Sequence, residues 1–227
     1  MKFTCSLPNN FVLSLLDLLN SPAFTLLGSP ASWAEVIGAL LGIAMVVCNI
    51  RQIHWGWPLA FASSALYFWV FWGSKLFGDA SLQIFFAMMA AWGWRQWLRG
   101  IRPDGQVLQV QTLSTMGTVK LIAVCAILWG ATGLFLLKFT TTDVPWWDAF
   151  PTALSIVATV LLGRKFVENW PMWILVNIVG VALFAYKGLW LTVGLYLVFA
   201  VMAVVGWQSW RAQWRAQLPA ARRVANS

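Results

Sequence analysis

Long apolar runs alternate with short polar punctuation along this chain, and the runs predict helices. The first covers about 33–50 and ends in Asn49-Ile50-Arg51-Gln52. The second opens at Trp57-Pro58 and reaches about Trp72; the third covers about 79–97. A polar stretch rich in Arg, Asp, Gly and Gln follows, before a fourth run at about 119–138. The fifth covers about 147–163, the sixth opens at Trp170-Pro171 and reaches about Tyr186, and the seventh covers about 189–210. Proline suits the start of a helix, where its missing N–H would have no acceptor anyway. A hydrocarbon core ~30 Å thick asks for about 20 apolar residues per spanning helix. A barrel strand would instead alternate apolar and polar residues over ~10-residue segments. The pattern therefore predicts an all-α polytopic membrane protein with seven transmembrane helices.

The N-terminal stretch is less regular. Residues 11–19 resemble the apolar part of a signal peptide, but Asp17 interrupts the run and no small-residue cleavage pattern follows. Residues 11–27 are expected to form a short interfacial helix, with a cleaved signal as the alternative.

Composition agrees with lipid as the solvent. The chain is 60% hydrophobic and 10% charged, with a mean hydropathy of +0.74; soluble proteins carry about 25% charged residues. The net charge of +8 would suggest nucleic acid in a soluble protein. Here the basic residues sit at helix ends, as orientation signals and headgroup anchors, and no nucleic-acid partner is expected. One face of the membrane would carry eleven Lys and Arg, among them Arg51, Arg164, Lys165 and Arg211, and the other Lys2, Lys75, Lys138 and Lys187. That bias predicts an outside N-terminus and a cytoplasmic C-terminus. Cys5, Cys48 and Cys125 are far apart and His54 stands alone. No metal site, cofactor or catalytic constellation is signalled.

Shifting the sequence by 113 residues aligns two halves without a gap. Trp33 meets Trp146, Arg51 meets Arg164, Trp57-Pro58 meets Trp170-Pro171, Gly93-Trp94 meets Gly206-Trp207, and Trp97 meets Trp210. Positions 33–97 and 146–210 share 17 identities in 65, weighted toward Trp, Pro, Gly and Arg. Three spans per copy would invert the second copy, and the fourth span restores its orientation. The expected architecture is 3+1+3, with parallel, pseudo-two-fold repeats. The segments are 1–32, an extracytoplasmic N-terminal piece; 33–98, the first copy; 99–145, a linker with the fourth helix; 146–210, the second copy; and 211–227, a basic tail. Parallel repeats of this kind occur in carriers, with the substrate near the midplane between them.

Polar residues within spans are costly and are the candidates for function. Asn177 lies mid-way along the sixth span, and Trp173 and Trp170 precede it by four and seven residues, on one helical face. Two indoles and an amide on one stripe suit a flat ring with a hydrogen-bonding substituent. Equally, Trp170 could anchor at the interface and Asn177 bond a neighbouring helix. The matching face of the first copy is Trp57, Ala60 and Ser64, so the copies share a scaffold and differ in chemistry. Gln83, its counterpart Tyr196, and Asn49 are further substrate-binding candidates by position. The acidic residues all fall near predicted ends, which argues for facilitated diffusion over proton coupling.

Several motifs occur in order: Trp55-Gly-Trp-Pro, Gly-Ser-Lys-Leu-Phe-Gly-Asp-Ala-Ser-Leu-Gln at 73–83, Gly-Trp-Arg-Gln-Trp at 93–97, and Leu-Leu-Gly-Arg-Lys-Phe-Val-Glu-Asn-Trp-Pro-Met-Trp-Ile-Leu-Val-Asn at 161–177. Together they resemble the PnuC vitamin transporters across roughly 33–210. The Trp-x-x-Trp-x-x-x-Asn pattern within the last motif resembles that of the nicotinamide riboside branch. The resemblance implies a SWEET-like fold and a carrier for nicotinamide riboside, an NAD precursor. It also implies facilitated diffusion with intracellular phosphorylation as the trap, a bacterial inner membrane, and assembly as homotrimers. Riboside chemistry suits the candidates: indole faces attract the cationic pyridinium ring by about 0.5–2 kcal/mol, and amides match a carboxamide or hydroxyls. The alternatives are a PnuC-like carrier of riboflavin or thiamine, a SWEET-type sugar carrier, an intramembrane enzyme, and a receptor that does not transport.

Overall fold

The computed structural model describes residues 18–19, 21–26, 29–73, 77–102, 105–140, 142–186, 188 and 190–225. An antiparallel pair, β1 (Pro22–Leu26) and β2 (Ser29–Ser32), precedes seven helices. These are α1 (Trp33–Ile50), α2 (Gly56–Gly73), α3 (Phe77–Arg99), α4 (Thr115–Phe139), α5 (Pro145–Gly163), α6 (Asn169–Tyr186) and α7 (Trp190–Ala225). Among the described residues, Thr115–Phe139, Pro145–Gly163, Asn169–Tyr186 and Trp190–Leu218 are each long and apolar enough to cross a bilayer, and Val36–Ile50 is a shorter apolar helix.

Two expectations are corrected. The interfacial helix expected over 11–27 lies mostly outside the described residues, and 22–26 within it is a strand. Pro22 and Pro30 disfavour a helix through this stretch, and pairing with β2 satisfies its backbone instead. The last helix does not end near 210 but continues to Ala225. Trp207, Trp210 and Trp214 fall on one helical face, and all three pack into or against the buried cluster, so the helix is held beyond its apolar run.

The Trp-Pro entries have a common local cause. Pro58 and Pro171 are each the third residue of their helix, where the N–H has no intrahelical acceptor. The turns leading into them follow the same backbone path. Gln52 N–H donates to the Asn49 carbonyl (3.1 Å) and Ile53 N–H to Cys48 (2.8 Å); Lys165 N–H donates to Leu162 (3.0 Å) and Phe166 N–H to Leu161 (2.9 Å). This is the paired bond pattern that closes a helix through a left-handed residue. Here that residue is Gln52 (φ 56°) in one turn and Lys165 (φ 57°) in the other, 113 positions apart.

Gly93 and Gly206 explain the Gly-Trp exits. A Cβ on Gly93 would lie 2.3 Å from the Trp57 ring, and one on Gly206 2.6 Å from the Trp170 ring. Each copy therefore lays the indole of its second helix flat against a glycine of its third. Trp97 then meets Trp57 edge-on, with centroids 5.7 Å apart at 81°, and Trp210 meets Trp170 at 5.5 Å and 86°. Aromatic rings favour such edge-to-face pairs over face-to-face stacking.

α5 packs against α4, α6 and α3. Ala149, Ala153, Leu154, Val157, Ala158, Leu161, Leu162 and Gly163 are all buried, and small residues along one face let neighbouring backbones approach. α4 is peripheral. Val119, Ile122, Ile127, Phe135 and Leu137 are exposed, as suits side chains that meet lipid. It docks on α5 through Gly133, where a Cβ would lie 2.4 Å from the Trp146 ring, and through Trp129 Nε1–H, which donates to the Trp146 carbonyl at 3.0 Å.

Candidate substrate site

Between the two copies lies a cavity of about 290 Å³, near the lower end of the ~300–1,000 Å³ typical of small-molecule sites. α1, α2, α3, α5, α6 and α7 all contribute to its wall, and α4 is absent from the residues that line it. Much of the wall consists of positions 113 residues apart: Gly42 with Ser155, Val46 with Thr159, Trp57 with Trp170, Ala60 with Trp173, Ser64 with Asn177, and Phe86 with Phe199. A cavity walled by equivalent positions lies between the copies rather than inside either.

Trp170, Trp173 and Asn177 line the cavity together from α6. Asn177 and Trp170 are buried, and Trp173 is partly buried against the same cluster. From the opposite copy come Asn49, Trp57, Ala60 and Ser64. Tyr196 reaches the cavity from α7 because Gly180 leaves room: a Cβ there would lie 2.4 Å from its ring. Phe184 and Phe199 pack against the Tyr196 ring, with centroids at 4.8 and 6.2 Å. Among the described residues that line the cavity there is no Lys, Arg, Asp, Glu or His. Its recognition chemistry is aromatic faces, amides and hydroxyls.

Seven of the eight sequence candidates thus meet: Trp170, Trp173, Asn177, Tyr196, Asn49, Trp57 and Ser64. Gln83 does not. It lies in a second groove on α2 and α3, with Phe61, Phe68, Trp69 and Ile84, which adjoins the cavity at Ser64. The copies diverge here for a steric reason. The first-copy position matching Gly180 is Tyr67, so the space that admits the Tyr196 ring in one copy is occupied in the other. Asn169, Ser155 and Thr159 also line the cavity and escaped the sequence reading. Asn169 directly precedes Trp-Pro and reads as a helix cap, and Ser155 and Thr159 correspond in the first copy to Gly42 and Val46, which carry no polar signal.

One end of the cavity is closed by a buried cluster containing Trp57, Trp97, Trp170, Trp210, Leu108, Val110 and Val167. Leu108 and Val110 come from the connector between the copies, which lies as a strap across the α5–α6 turn. Gln111 N–H donates to the Lys165 carbonyl (3.0 Å), and Val167 N–H donates to the Gln111 carbonyl (2.9 Å). Gln111 Nε2 donates to the Arg164 carbonyl (2.9 Å), and Glu168 Oε1 accepts from Leu113 N–H (3.0 Å). Lys165 Nζ sits 4.9 Å from the centre of the Trp97 ring. Burial pushes its ammonium below the usual lysine range.

The family of nicotinamide mononucleotide transporters matches residues 32–212. The riboflavin/roseoflavin transporter RibM of Streptomyces davaonensis is 31% identical over 199 residues, covering 86% of this chain and 92% of that one. The nicotinamide riboside transporter PnuC of Escherichia coli is 24% identical over 208 residues, covering 81% and 87% respectively. The crystal structure of the vitamin B3 transporter PnuC superposes with a TM-score of 0.67 at 20% identity, covering 91% of this chain and 90% of that chain. The seven-helix arrangement is therefore that of a known vitamin transporter, and this chain belongs to the nicotinamide mononucleotide transporter family, the family of the PnuC vitamin transporters.

Proposed function

We propose that this multi-pass membrane protein carries nicotinamide riboside across a bacterial inner membrane by facilitated diffusion, alternating access between the two faces. The observation that carries the reading is the stripe of Trp170, Trp173 and Asn177 lining a cavity with no charged side chain among its described wall residues. Indole faces suit a cationic pyridinium ring, and the Asn177 amide can both donate to and accept from a carboxamide. The lack of a fixed counter-charge favours release over trapping. Phosphorylation in the cytoplasm would then hold the product inside. A mononucleotide brings up to about two extra negative charges, and the cavity offers them no cation, so the riboside is carried and the nucleotide refused.

In this reading seven helices span the bilayer as 3+1+3 with parallel three-helix repeats, in the manner of SWEET carriers. The N-terminus is outside and the C-terminus inside, and copies of the chain assemble as trimers. The matching turns at Gln52 and Lys165 and the matching Trp-on-glycine contacts support the repeat. The decisive experiment is uptake of labelled riboside into proteoliposomes, with riboflavin, thiamine and the mononucleotide in parallel. Saturable riboside uptake without a proton or sodium gradient is expected. Tight binding without flux would make the protein a receptor instead.

A second reading, riboflavin as cargo, is favoured by the 31% identity to a riboflavin transporter. The small cavity and the second-copy stripe weigh toward the single-ring substrate. Riboflavin uptake exceeding riboside uptake would reverse that order.

A further inference from the structure

The end of the cavity that the tryptophan cluster closes has two layers. Trp57, Trp170, Leu162, Ala90 and Ala203 belong both to the cavity wall and to the cluster; Trp97, Trp210, Leu108 and Val110 belong to the cluster alone. The outer pair of indoles donates across the copies, Trp97 to the Leu162 carbonyl and Trp210 to the Ile50 carbonyl. Gln52 of the first copy donates to Gln213 of the second, and Lys165 of the second faces the Trp97 ring of the first. Four direct ties between the copies thus meet at this end. The inner pair of indoles, Trp57 and Trp170, is as deeply buried, yet neither Nε1 has a partner.

Among the described residues, five buried side-chain atoms have no hydrogen-bond partner: Asn49 Oδ1, Trp57 Nε1, Glu168 Oε2, Asn169 Oδ1 and Trp170 Nε1. All five belong to the Trp-Pro entries or to the chain just before them. Each has almost no accessible surface, so each forfeits the bonds it would make with water. Polar groups in a permanently packed core are bonded, and exceptions ask for a reason. A closure that periodically comes apart supplies one: its polar atoms go unpaired while it is shut and are hydrated when it opens. Packing does not demand the acceptor at position 49. Its repeat equivalent is Leu162, buried in the same cluster.

We propose that this end of the cavity is a gate, latched by Trp97 and Trp210, sealed by Leu108 and Val110 of the connector, and opposed by the unpaired atoms of its inner layer. Parting the copies here breaks the two indole–carbonyl bonds and hands their donors and acceptors to water. The same step hydrates the atoms that had no partner. Loss and gain offset one another, so the gate opens without a large net cost. The connector is bonded to the α5–α6 turn through Gln111 and Glu168, so the seal withdraws with the second copy from the first-copy rings Trp57 and Trp97. The gate rests on the carrier reading above and names the residues that one half of alternating access must move.

Opening is read without cargo by a thiol placed in the seal. Val110→Cys, in a chain with Cys5, Cys48 and Cys125 replaced by alanine, sits where the natural side chain is 3% exposed and outside the cavity wall. A water-soluble maleimide reaches it when the gate parts. Trp210→Phe is expected to speed labelling about tenfold, and Asn49→Leu to slow it about tenfold. Asn49→Leu is also expected to raise the melting temperature, because it removes an unpaired acceptor. An asparagine that only packs or only binds cargo would give neither result. In a second arm, Gln52→Cys and Gln213→Cys are bridged by a bis-methanethiosulfonate reagent. Proteoliposome uptake is expected to fall about tenfold or more and to return on reduction. Unchanged labelling in Trp210→Phe, faster labelling or a lower melting temperature in Asn49→Leu, or full uptake by the bridged protein overturns the gate. If the cysteine-free chain fails to insert, Asn49→Leu in the natural chain decides: slower amide exchange over 108–113 supports the gate, and unchanged or faster exchange overturns it. If labelling and melting follow the expected order but neither riboside nor riboflavin enters, the vitamin reading fails and the gate stands.

Discussion

Trp97 and Trp210 lie with ring centroids 6.3 Å apart, and each donates its indole N–H to a carbonyl of the opposite copy. Trp97 bonds Leu162 at 3.4 Å, at the end of α5, and Trp210 bonds Ile50 at 3.1 Å, at the end of α1. The third helix of each copy is thereby tied to the first helix of the other. Trp210 is fully buried and Trp97 is nearly so. Trp210→Phe removes the donor and part of a fully buried ring, so it is expected to cost about 2–3 kcal/mol. Trp97→Phe should cost less, because its bond is longer. The double variant should be non-additive, since the rings are in contact. Thermal unfolding in detergent measures all three.

Asn177→Leu is expected to reduce riboside affinity about tenfold or more while the protein remains inserted and folded. Gln83→Leu should leave affinity within about twofold, because Gln83 lines the other groove. Titration of intrinsic tryptophan fluorescence distinguishes the two. Unchanged affinity in the Asn177 variant would make that amide a helix–helix contact and return the ring site to question.

Gly206→Ala and Gly93→Ala each force a methyl group into an indole that already lies too close, at 2.6 and 2.3 Å. Overpacking of this kind costs about 1–3 kcal/mol. Displacement of Trp170 or Trp57 from the cavity wall should also weaken riboside binding. Gly130→Ala is the control, because a Cβ there meets nothing within 4 Å. Detergent melting curves and uptake assays should rank the first two below the natural chain and leave the third beside it.

Glu168→Ala should loosen the connector, because Glu168 holds Leu113 N–H. Amide hydrogen exchange over 108–113 is expected to rise about tenfold, from the loss of one hydrogen bond to an ionised acceptor. Glu168→Gln keeps an acceptor and should stay close to the natural chain. Equal exchange in all three would show that Gln111 alone carries the strap.

Apolar length was readable from residue order because lipid demands it helix by helix. The 113-residue offset was readable because Trp, Pro and Gly have steric jobs that neighbouring residues cannot share, and Gly93 under Trp57 is one such job. The stripe from Trp170 to Asn177 was readable because it lies within one helix. Gln83 was chosen for its position in the third span, and residue order does not show that it lines a different groove from Tyr196. Asn169 was missed because it directly precedes Trp-Pro, where an Asn reads as a helix cap, and only the fold places it on the cavity wall. The helical continuation past 210 was missed because its cause is the docking of Trp214 on a distant cluster, which hydropathy does not register.

Among the described residues, the connector laid along the α5–α6 turn has no twin. The corresponding turn of the first copy, 51–55, leaves Ile53 and Trp55 exposed. Two identical three-helix units meeting as separate chains would open and close as mirror partners. Joining them has instead weighted one side. Among the described residues only the second copy is fastened to the connector in this way, so two turns that share one backbone path differ in what covers them.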